Sequence, residues 1–449
     1  MAKPKKLMGV QQCLLSPDQE LRAILEYICT QSNSLHNCAV YYARQIWFKA
    51  KCGVSGFDLV NEAGKSKHFS ALPSDAAVQT CIAVGESISS FFALLKKFYA
   101  GELERKPNFP NYRKAGGFHL VAFPKRSLKL IEGWAGSPPN SQIRLPLGLQ
   151  VKAWFGIKSF TIPMPSNLDF ETIREVRILP RNGCFYAEFV YPDTRIEIDL
   201  DPTKCLGLDH GVNNWLTGVS NAKTSFIIDG KHLKSINQWY NKSVARLMDN
   251  KPNGFWSKRL ARLTEKRNRQ MRDAVNKAAR LVIKHCLSKK IGTLVFGWNK
   301  TQKQNANMEK KTNQKFVQIP TARLKERVKQ LCNIYGIRFE ETEESYTSKS
   351  SFLDADTIPV YGEKPIEWKA SGKRTKRGLY RSSNGIEVNS DANGAANILV
   401  KVAVKLGLNL SGISRGDLCA PLKFRIWRDV CGGSFPRKAR LTLQESQSL

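Results

Sequence analysis

Residues 204–212 read Lys204-Cys205-Leu206-Gly207-Leu208-Asp209-His210-Gly211-Val212. An apolar run ends on an acid, and a glycine follows two residues later. This is the pattern of a buried strand that delivers a carboxylate to a sheet edge. A second acid stands far downstream, in Asn389-Ser390-Asp391-Ala392-Asn393-Gly394-Ala395-Ala396-Asn397-Ile398-Leu399, where it opens a helix of small residues able to pack closely. Working outward from Asp209, strands are expected over 204–209, 215–220 and 225–229. A basic helical region follows from about Leu233 to Lys289, broken at Lys251-Pro252-Asn253-Gly254. Next come a strand over 291–297, a helix over 320–335 closed by Gly336, a strand over 337–344, and the helix at Asp391. The order β-β-β-α-β-α-β-α is that of an RNase H-like fold, interrupted by residues 345–389.

Upstream, residues 7–15 read as a strand. Ser16-Pro17-Asp18-Gln19 has the composition of a helix start, with Ser16 as cap and Gln19 completing a capping box. Helical spacing runs to about Phe48, and a second helix begins near Ser74. The prolines of Lys106-Pro107-Asn108-Phe109-Pro110 end this helical lobe. Short strands are expected over 119–123, 143–147, 159–164, 174–179 and 184–191. Asn182-Gly183 between the last two is a hairpin signal. These strands suggest a small β-barrel that the N-terminal strand could join, making the lobe an insertion.

Lys and Arg total 71 against 38 Asp and Glu, a formal net charge of +33. Such an excess self-repels unless a polyanion neutralises it, and phosphate backbone is the usual one. Acids gathered within so basic a chain suggest divalent-metal chemistry on nucleic acid. An anionic membrane is the other polyanion, but no apolar run is read as approaching the ~18 residues needed to span a bilayer, and no apolar signal core follows the basic N-terminus. The 11 cysteines include no CxxC pair and the six histidines no HxxxH pair. This points to buried thiols in a reducing cytosol and to no zinc site.

Four segments together resemble TnpB, the RNA-guided nuclease family of insertion sequences, related to type V CRISPR effectors. They are Pro107-Asn108-Phe109-Pro110-Asn111-Tyr112-Arg113, Gly207 to Asn214, Ser345-Tyr346-Thr347-Ser348-Lys349, and Asp391 to Asn397. They occur in family order. The resemblance implies an α/β multidomain protein: a RuvC nuclease core (199–344 and 390–407), a β-barrel wedge domain (1–15 and 105–198) and an inserted helical recognition lobe (16–104). It further implies a target-nucleic-acid-binding insert (345–389) and a loosely ordered tail (408–449). Its implied partners are a guide RNA derived from the transposon end and a double-stranded DNA target beside a short motif. The cofactor would be Mg²⁺, with Mn²⁺ as substitute. The protein would act in the prokaryotic cytoplasm, associated with the nucleoid, as a monomer or a dimer and without a membrane.

The chain departs from the family pattern twice. Gly297 stands where the fourth core strand usually ends on a glutamate. Ser351 and Asp354 stand where the first of two CxxC pairs is usual, and no cysteine lies between Cys332 and Cys419. Two aspartates alone would hold a two-metal site poorly. Glu344, in Glu340-Glu341-Thr342-Glu343-Glu344, is favoured as the replacement. The fifth strand lies beside the fourth, alternation turns Glu343 and Glu344 opposite ways, and Glu344 is nearer the strand's end. A subset of the family also lacks the usual glutamate and carries one here. Asp209, Glu344 and Asp391 are therefore the expected catalytic metal ligands.

Nucleic-acid contacts are expected from Tyr112, Arg113 and Lys114 in the linker. Arg259, Arg262, Lys266, Arg267 and Arg269 form one face of a basic helix whose apolar side includes Trp256. Lys349 and the insert residues Lys373, Arg374, Lys376 and Arg377 complete the set. The expected activity is guided DNA cleavage. The alternatives are a nuclease-dead, RNA-guided repressor or targeting factor, and a guide-free transposase or resolvase of the same fold class.

Overall fold

The computed structural model describes residues 8–131, 141–193, 195–299 and 319–429. The chain divides into two compact units, 1–193 and 194–449.

The first unit begins with β1 (Met8–Leu15), followed by α1 (Gln19–Ala50), α2 (Gly56–Ala63), α3 (Lys67–Ser70) and α4 (Ser74–Tyr99). Asp18, rather than Ser16, caps α1, its carboxylate accepting from Leu21 N–H at 2.8 Å. Then come β2 (Val121–Pro124), β3 (Lys129–Ile131), β4 (Gln142–Pro146), α5 (Leu149–Phe155), β5 (Ser159–Pro163), β6 (Glu175–Arg181) and β7 (Cys184–Pro192). Asn182 and Gly183 turn the β6–β7 hairpin with φ of 49° and 73°, the backbone that a two-residue primed turn demands. β1 pairs antiparallel with β7 over its whole length, Met8 facing Pro192 and Leu15 facing Phe185. Among the described residues the ladders form two sheets, ordered β1-β7-β6-β2 and β3-β4-β5. Phe123, Ile178 and Phe189 of the first sheet share a core with Leu145 and Ile162 of the second and with Ile28, Leu35 and Val84 of the helices.

Contrary to the sequence reading, α4 is long and apolar enough, by length and composition, to cross a membrane. Its Ala77, Cys81, Val84 and Ile88 are buried in the core of this unit, and 33% of its apolar window is buried.

The second unit starts with β8 (Asp201–His210), β9 (Asn214–Ser220), β10 (Thr224–Asp229), α6 (Lys231–Met248), α7 (Lys258–Ser288) and β11 (Ile291–Gly297). It continues with α8 (Thr321–Ile334), β12 (Arg338–Thr342), the insert strands β13 (Lys373–Lys376), β14 (Leu379–Arg381) and β15 (Glu387–Asn389), and α9 (Ser390–Leu406). It ends with α10 (Arg415–Cys419), β16 (Leu422–Phe424) and α11 (Ile426–Asp429). The main sheet has the order β12-β11-β8-β9-β10-β16. β8, β11 and β12 are mutually parallel, and β9 is antiparallel to both its neighbours. Apart from β16, this is the strand order of the RNase H-like sheet.

Two expectations are corrected. Residues 408–429 are ordered, not loose: β16 adds a parallel strand beside β10, Leu418 and Ile426 are buried, and Trp427 donates to Asp273 at 2.9 Å. The rest of the expected tail, 430–449, lies outside the described residues. Trp256 is not on the apolar face of α7. It precedes the cap, Ser257, and is 58% exposed, so Leu260, Met271, Val275 and Val282 make that face.

Candidate active site: a carboxylate cluster at the sheet edge

Parallel strands bring their C-terminal ends to one edge. Phe296 of β11 is level with Leu208 of β8 and with Glu341 of β12. Asp209 therefore emerges at the same edge as Gly297 and the segment after Thr342. α9 covers this end of the sheet, with Ala392, Ala395 and Ala396 fully buried. Gly394 of this helix lies against Asp209: a Cβ there would lie 3.0 Å from Asp209 Oδ2.

Asp391 opens α9 but does not cap it. Asn389 does, its side chain accepting from Asp391 N–H and Ala392 N–H at 3.0 Å each. The Asp391 carboxylate is thus free to face the cluster. Asn214 Nδ2 donates to its Oδ2 at 2.6 Å, and Arg374 reaches its Oδ1 at 3.3 Å and Ser390 Oγ at 2.7 Å.

Glu343 and Glu344 diverge, though not by strand alternation, because β12 ends at Thr342. Glu343 pairs with Lys401 of α9 and accepts from Ser345 N–H at 3.0 Å. Glu344 turns to the acids, its side chain only 10% exposed and its Oε1 3.7 Å from His210 Nε2. A Cβ at residue 297 would come within 3.3 Å of Glu344 Oε2 and 2.5 Å of Ile398 Cδ1. The Glu344 carboxylate therefore borders the space into which a side chain from residue 297 would project.

Asp209 feels the other two acids. The Asp209 carboxyl is raised well above the usual range, first by withdrawal from water, then by the charges of Glu344 and Asp391. A backbone hydrogen bond from His210 and the charge of Arg374 oppose the rise. Among the described residues, no three His, Cys, Asp or Glu side chains already form a ligand set for an ion. The all-oxygen donor chemistry nevertheless fits a hard divalent cation. Asn214 and Arg374 hold the Asp391 carboxylate, which a cation here would share.

The expected nucleic-acid residues are scattered. In the second unit, Arg259, Arg262 and Lys266 are exposed on α7 and Arg269 is half-buried. Arg267 is tied down, donating to Asn237 at 2.9 Å and lying 5.6 Å from the Tyr240 ring of α6. In the insert, Lys349, Lys373, Lys376 and Arg377 are exposed, while Arg374 alone is drawn to the acids. In the first unit, Tyr112 stacks under Arg44 at 5.3 Å and Lys114 is exposed. Arg113 donates to Asn33 at 3.2 Å, and its N–H to Asn37 at 2.8 Å. The sequence reading assigned no role to Asn214, Asn299, His210 or Lys401. Asn214 and His210 stood inside the quoted Asp209 motif, which was the available signal.

Where a cysteine pair is usual, Asp354 instead accepts from Ser383 N–H at 2.9 Å and Ser383 Oγ at 2.6 Å. Asp356 accepts from Ser351 N–H at 2.7 Å and from Ser371. The insert is closed by hydrogen bonds at these positions.

A sheet of this order, with acids converging at the ends of its parallel strands, defines an RNase H-like protein with a candidate metal-dependent centre. Residues 189–303 match the OrfB_IS605 family, described as a probable transposase. The likeness to this family extends over that segment of the chain. Among solved structures it is similar to one described as a Cas12f1–sgRNA–target DNA complex, with TM-score 0.57 and 16% identity over 85% of this chain and 83% of that one. A second, described as the mini-RNA-guided endonuclease CRISPR-Cas_phi3, aligns with TM-score 0.42 and 10% identity over 91% and 94%. No curated protein matches the chain.

Proposed function

We propose that this protein is an RNA-guided, divalent-metal-dependent DNA endonuclease of a transposon, cutting DNA matched to its guide beside a short target-adjacent motif. The observation that carries the reading is the approach of Asp209, Glu344 and Asp391 at one sheet edge, in a chain of net charge +33. The likeness in fold to a protein described in complex with a guide RNA and target DNA supports it.

In this reading Asp209, Glu344 and Asp391 hold Mg²⁺, with Mn²⁺ as substitute. The bound ions supply an activated water and neutralise charge developing on the phosphodiester. The chain's own groups do the rest. Asn214 orients Asp391. Arg374, already beside that acid, offers its planar fork to a phosphate oxygen as the strand arrives. Arg259, Arg262, Lys266 and Arg269, with Lys349, Lys373, Lys376 and Arg377, follow the backbone of the guide–target duplex and the single strand. Tyr112 and Lys114 contact RNA or duplex backbone, whereas Arg113 and Arg267 act chiefly by holding their surroundings.

Segments 1–15 with 105–198 serve as the wedge domain, 16–104 as the recognition lobe, and 345–389 as a zinc-free target-binding insert. The protein works on cytoplasmic, nucleoid-bound DNA. The test is to sequence the RNA that co-purifies and offer matched double-stranded DNA with Mg²⁺. Guided cleavage supports the proposal. Guided binding without cleavage would make the protein a nuclease-dead repressor or targeting factor, and RNA-free protein active on DNA would make it a transposase.

A further inference from the structure

Glu344 sits beyond the end of β12, outside the ladder that fixes a strand residue. Its backbone is nonetheless pinned on both sides. Its N–H donates to Asn299 Oδ1 at 3.1 Å, and its C=O accepts from Thr347 Oγ1 at 2.8 Å. What holds Thr347 and its neighbours is one face of α9.

Asn393, Asn397 and Lys401 recur every fourth residue, so their side chains stack along one side of the helix over about 12 Å. Both asparagines are fully buried, and the Lys401 side chain is only 7% exposed. Asn393 Nδ2 donates to Ser350 C=O at 2.8 Å, and its Oδ1 accepts from Phe352 N–H at 3.0 Å. Asn397 Nδ2 donates to both Thr347 C=O and Ser350 C=O at 2.8 Å. Lys401 pairs with Glu343 and donates to Pro359 C=O at 3.2 Å. Within residues 343–352 the partners retreat from 352 to 343 as the helix advances from 393 to 401, so this stretch runs antiparallel beside it, and Pro359 is a separate contact at the Lys401 end. A buried lysine ammonium is costly unless paired and hydrogen-bonded, so this contact is retained only while the segment stays in place.

We propose that Asn393, Asn397 and Lys401 are positioning residues that set where Glu344 stands relative to Asp391, the acid at the start of the same helix. A glutamate ending β11 would be held by the strand ladder. A glutamate on the segment after β12 needs another brace, and the α9 face supplies it. This rests on the reading of Glu344 as a metal ligand.

The test uses the full protein with its co-purified RNA. Lys401→Met is compared with Lys401→Arg, Glu344→Gln and the Lys401→Met/Glu344→Gln double variant. Two readouts are followed: the Mg²⁺ concentration that half-saturates cleavage of matched DNA, and Fe²⁺-driven hydroxyl-radical scission of the polypeptide near residue 344. The second reports local ion occupancy without requiring DNA cleavage and is not confused by ions on the RNA. Lys401→Met should raise the required Mg²⁺ and Fe²⁺ about 10–100-fold, the usual cost of losing a group that orients a ligand. Guided DNA binding should stay unchanged, and Lys401→Arg should stay near wild type. In the Glu344→Gln background, Lys401→Met should lower scission no further, because the group it positions is already gone. If Lys401→Met proves too unstable to purify, Asn397→Ser, which removes both carbonyl contacts, should give the same shift. Unchanged ion dependence in these variants beside an impaired Glu344→Gln overturns the brace alone, as does a full additive loss in the double variant. Wild-type ion dependence in Glu344→Gln overturns the ligand reading and the brace with it.

Discussion

Adding one methyl group, as Gly297→Ala, is the sharpest probe of where Glu344 stands. Gly297 lies in the fully buried strand β11. Its new Cβ would come 2.5 Å from Ile398 Cδ1, 3.2 Å from Ile398 Cγ1 and 3.3 Å from Glu344 Oε2. The first contact is far inside van der Waals range, so Ile398 must shift. The third is tight, so the carboxylate must give by some tenths of an ångström. Overpacking of this kind costs about 1–3 kcal/mol. For a unit of this size that lowers Tm by roughly 2–12 °C, at about 2–4 °C per kcal/mol. Misplacing a reacting group by ~1 Å costs about a hundredfold, so a smaller displacement should lower guided cleavage about 10-fold. The Gly297→Ala/Ile398→Val double variant separates the two effects. It removes Cδ1, the atom in worst conflict, and should recover most of the lost Tm, while cleavage stays low because the carboxylate contact remains. The assays are thermal melting and single-turnover cleavage of matched DNA with Mg²⁺. A Gly297→Ala protein that melts and cuts like wild type would refute the placement of Glu344.

Asp209→Asn and Asp391→Asn should each lower cleavage more than a hundredfold, beyond the cost of losing a ligand's outer partner, with guided DNA binding nearly intact by filter retention. Asp209→Asn should also raise Tm in metal-free buffer at neutral pH. Because the folded Asp209 is raised above the unfolded value, the folded state holds a proton that the unfolded chain releases, and stability falls as pH rises from the ordinary Asp range through the folded one. The gain of the variant should therefore vanish near pH ~4, at the unfolded Asp value, and wild-type Tm above it should recover when Mg²⁺ is added. Glu344→Gln should abolish cleavage, while Glu343→Gln should change it only a few-fold (~2–5), since an amide oxygen still accepts from Lys401; the reverse pattern would reassign the ligand to Glu343. Chelator-washed protein should contain no stoichiometric zinc by elemental analysis, its insert being closed through Asp354 and Asp356.

Much of the framework was legible in the sequence because it rests on local signals. The apolar run into Asp209, the Asn182-Gly183 hairpin and the breaks at Pro252 and Gly254 each report a backbone preference within a few residues. Downstream of residue 194 such signals, in series, spell the strand and helix order of the second unit, and with it the edge at which Asp209 emerges. Other features depend on partners distant in sequence, and no local pattern contains them. Pairing of β1 with β7 joins residues 8–15 to 185–192. The edge strand β16 escaped notice because three residues beside a polar tail carry no periodicity, yet β10 offered it an unpaired edge. On α7, charge alone could not separate exposed Arg262 from Arg267, which Asn237 and Tyr240 of a neighbouring helix hold. The two adjacent glutamates show the division most clearly. Sequence located both near the strand edge, because strand order implies it. Only packing decided which way each one turns, because the Lys401 ammonium of α9 takes Glu343, and Gly297, lacking a side chain, leaves Glu344 room beside the acids.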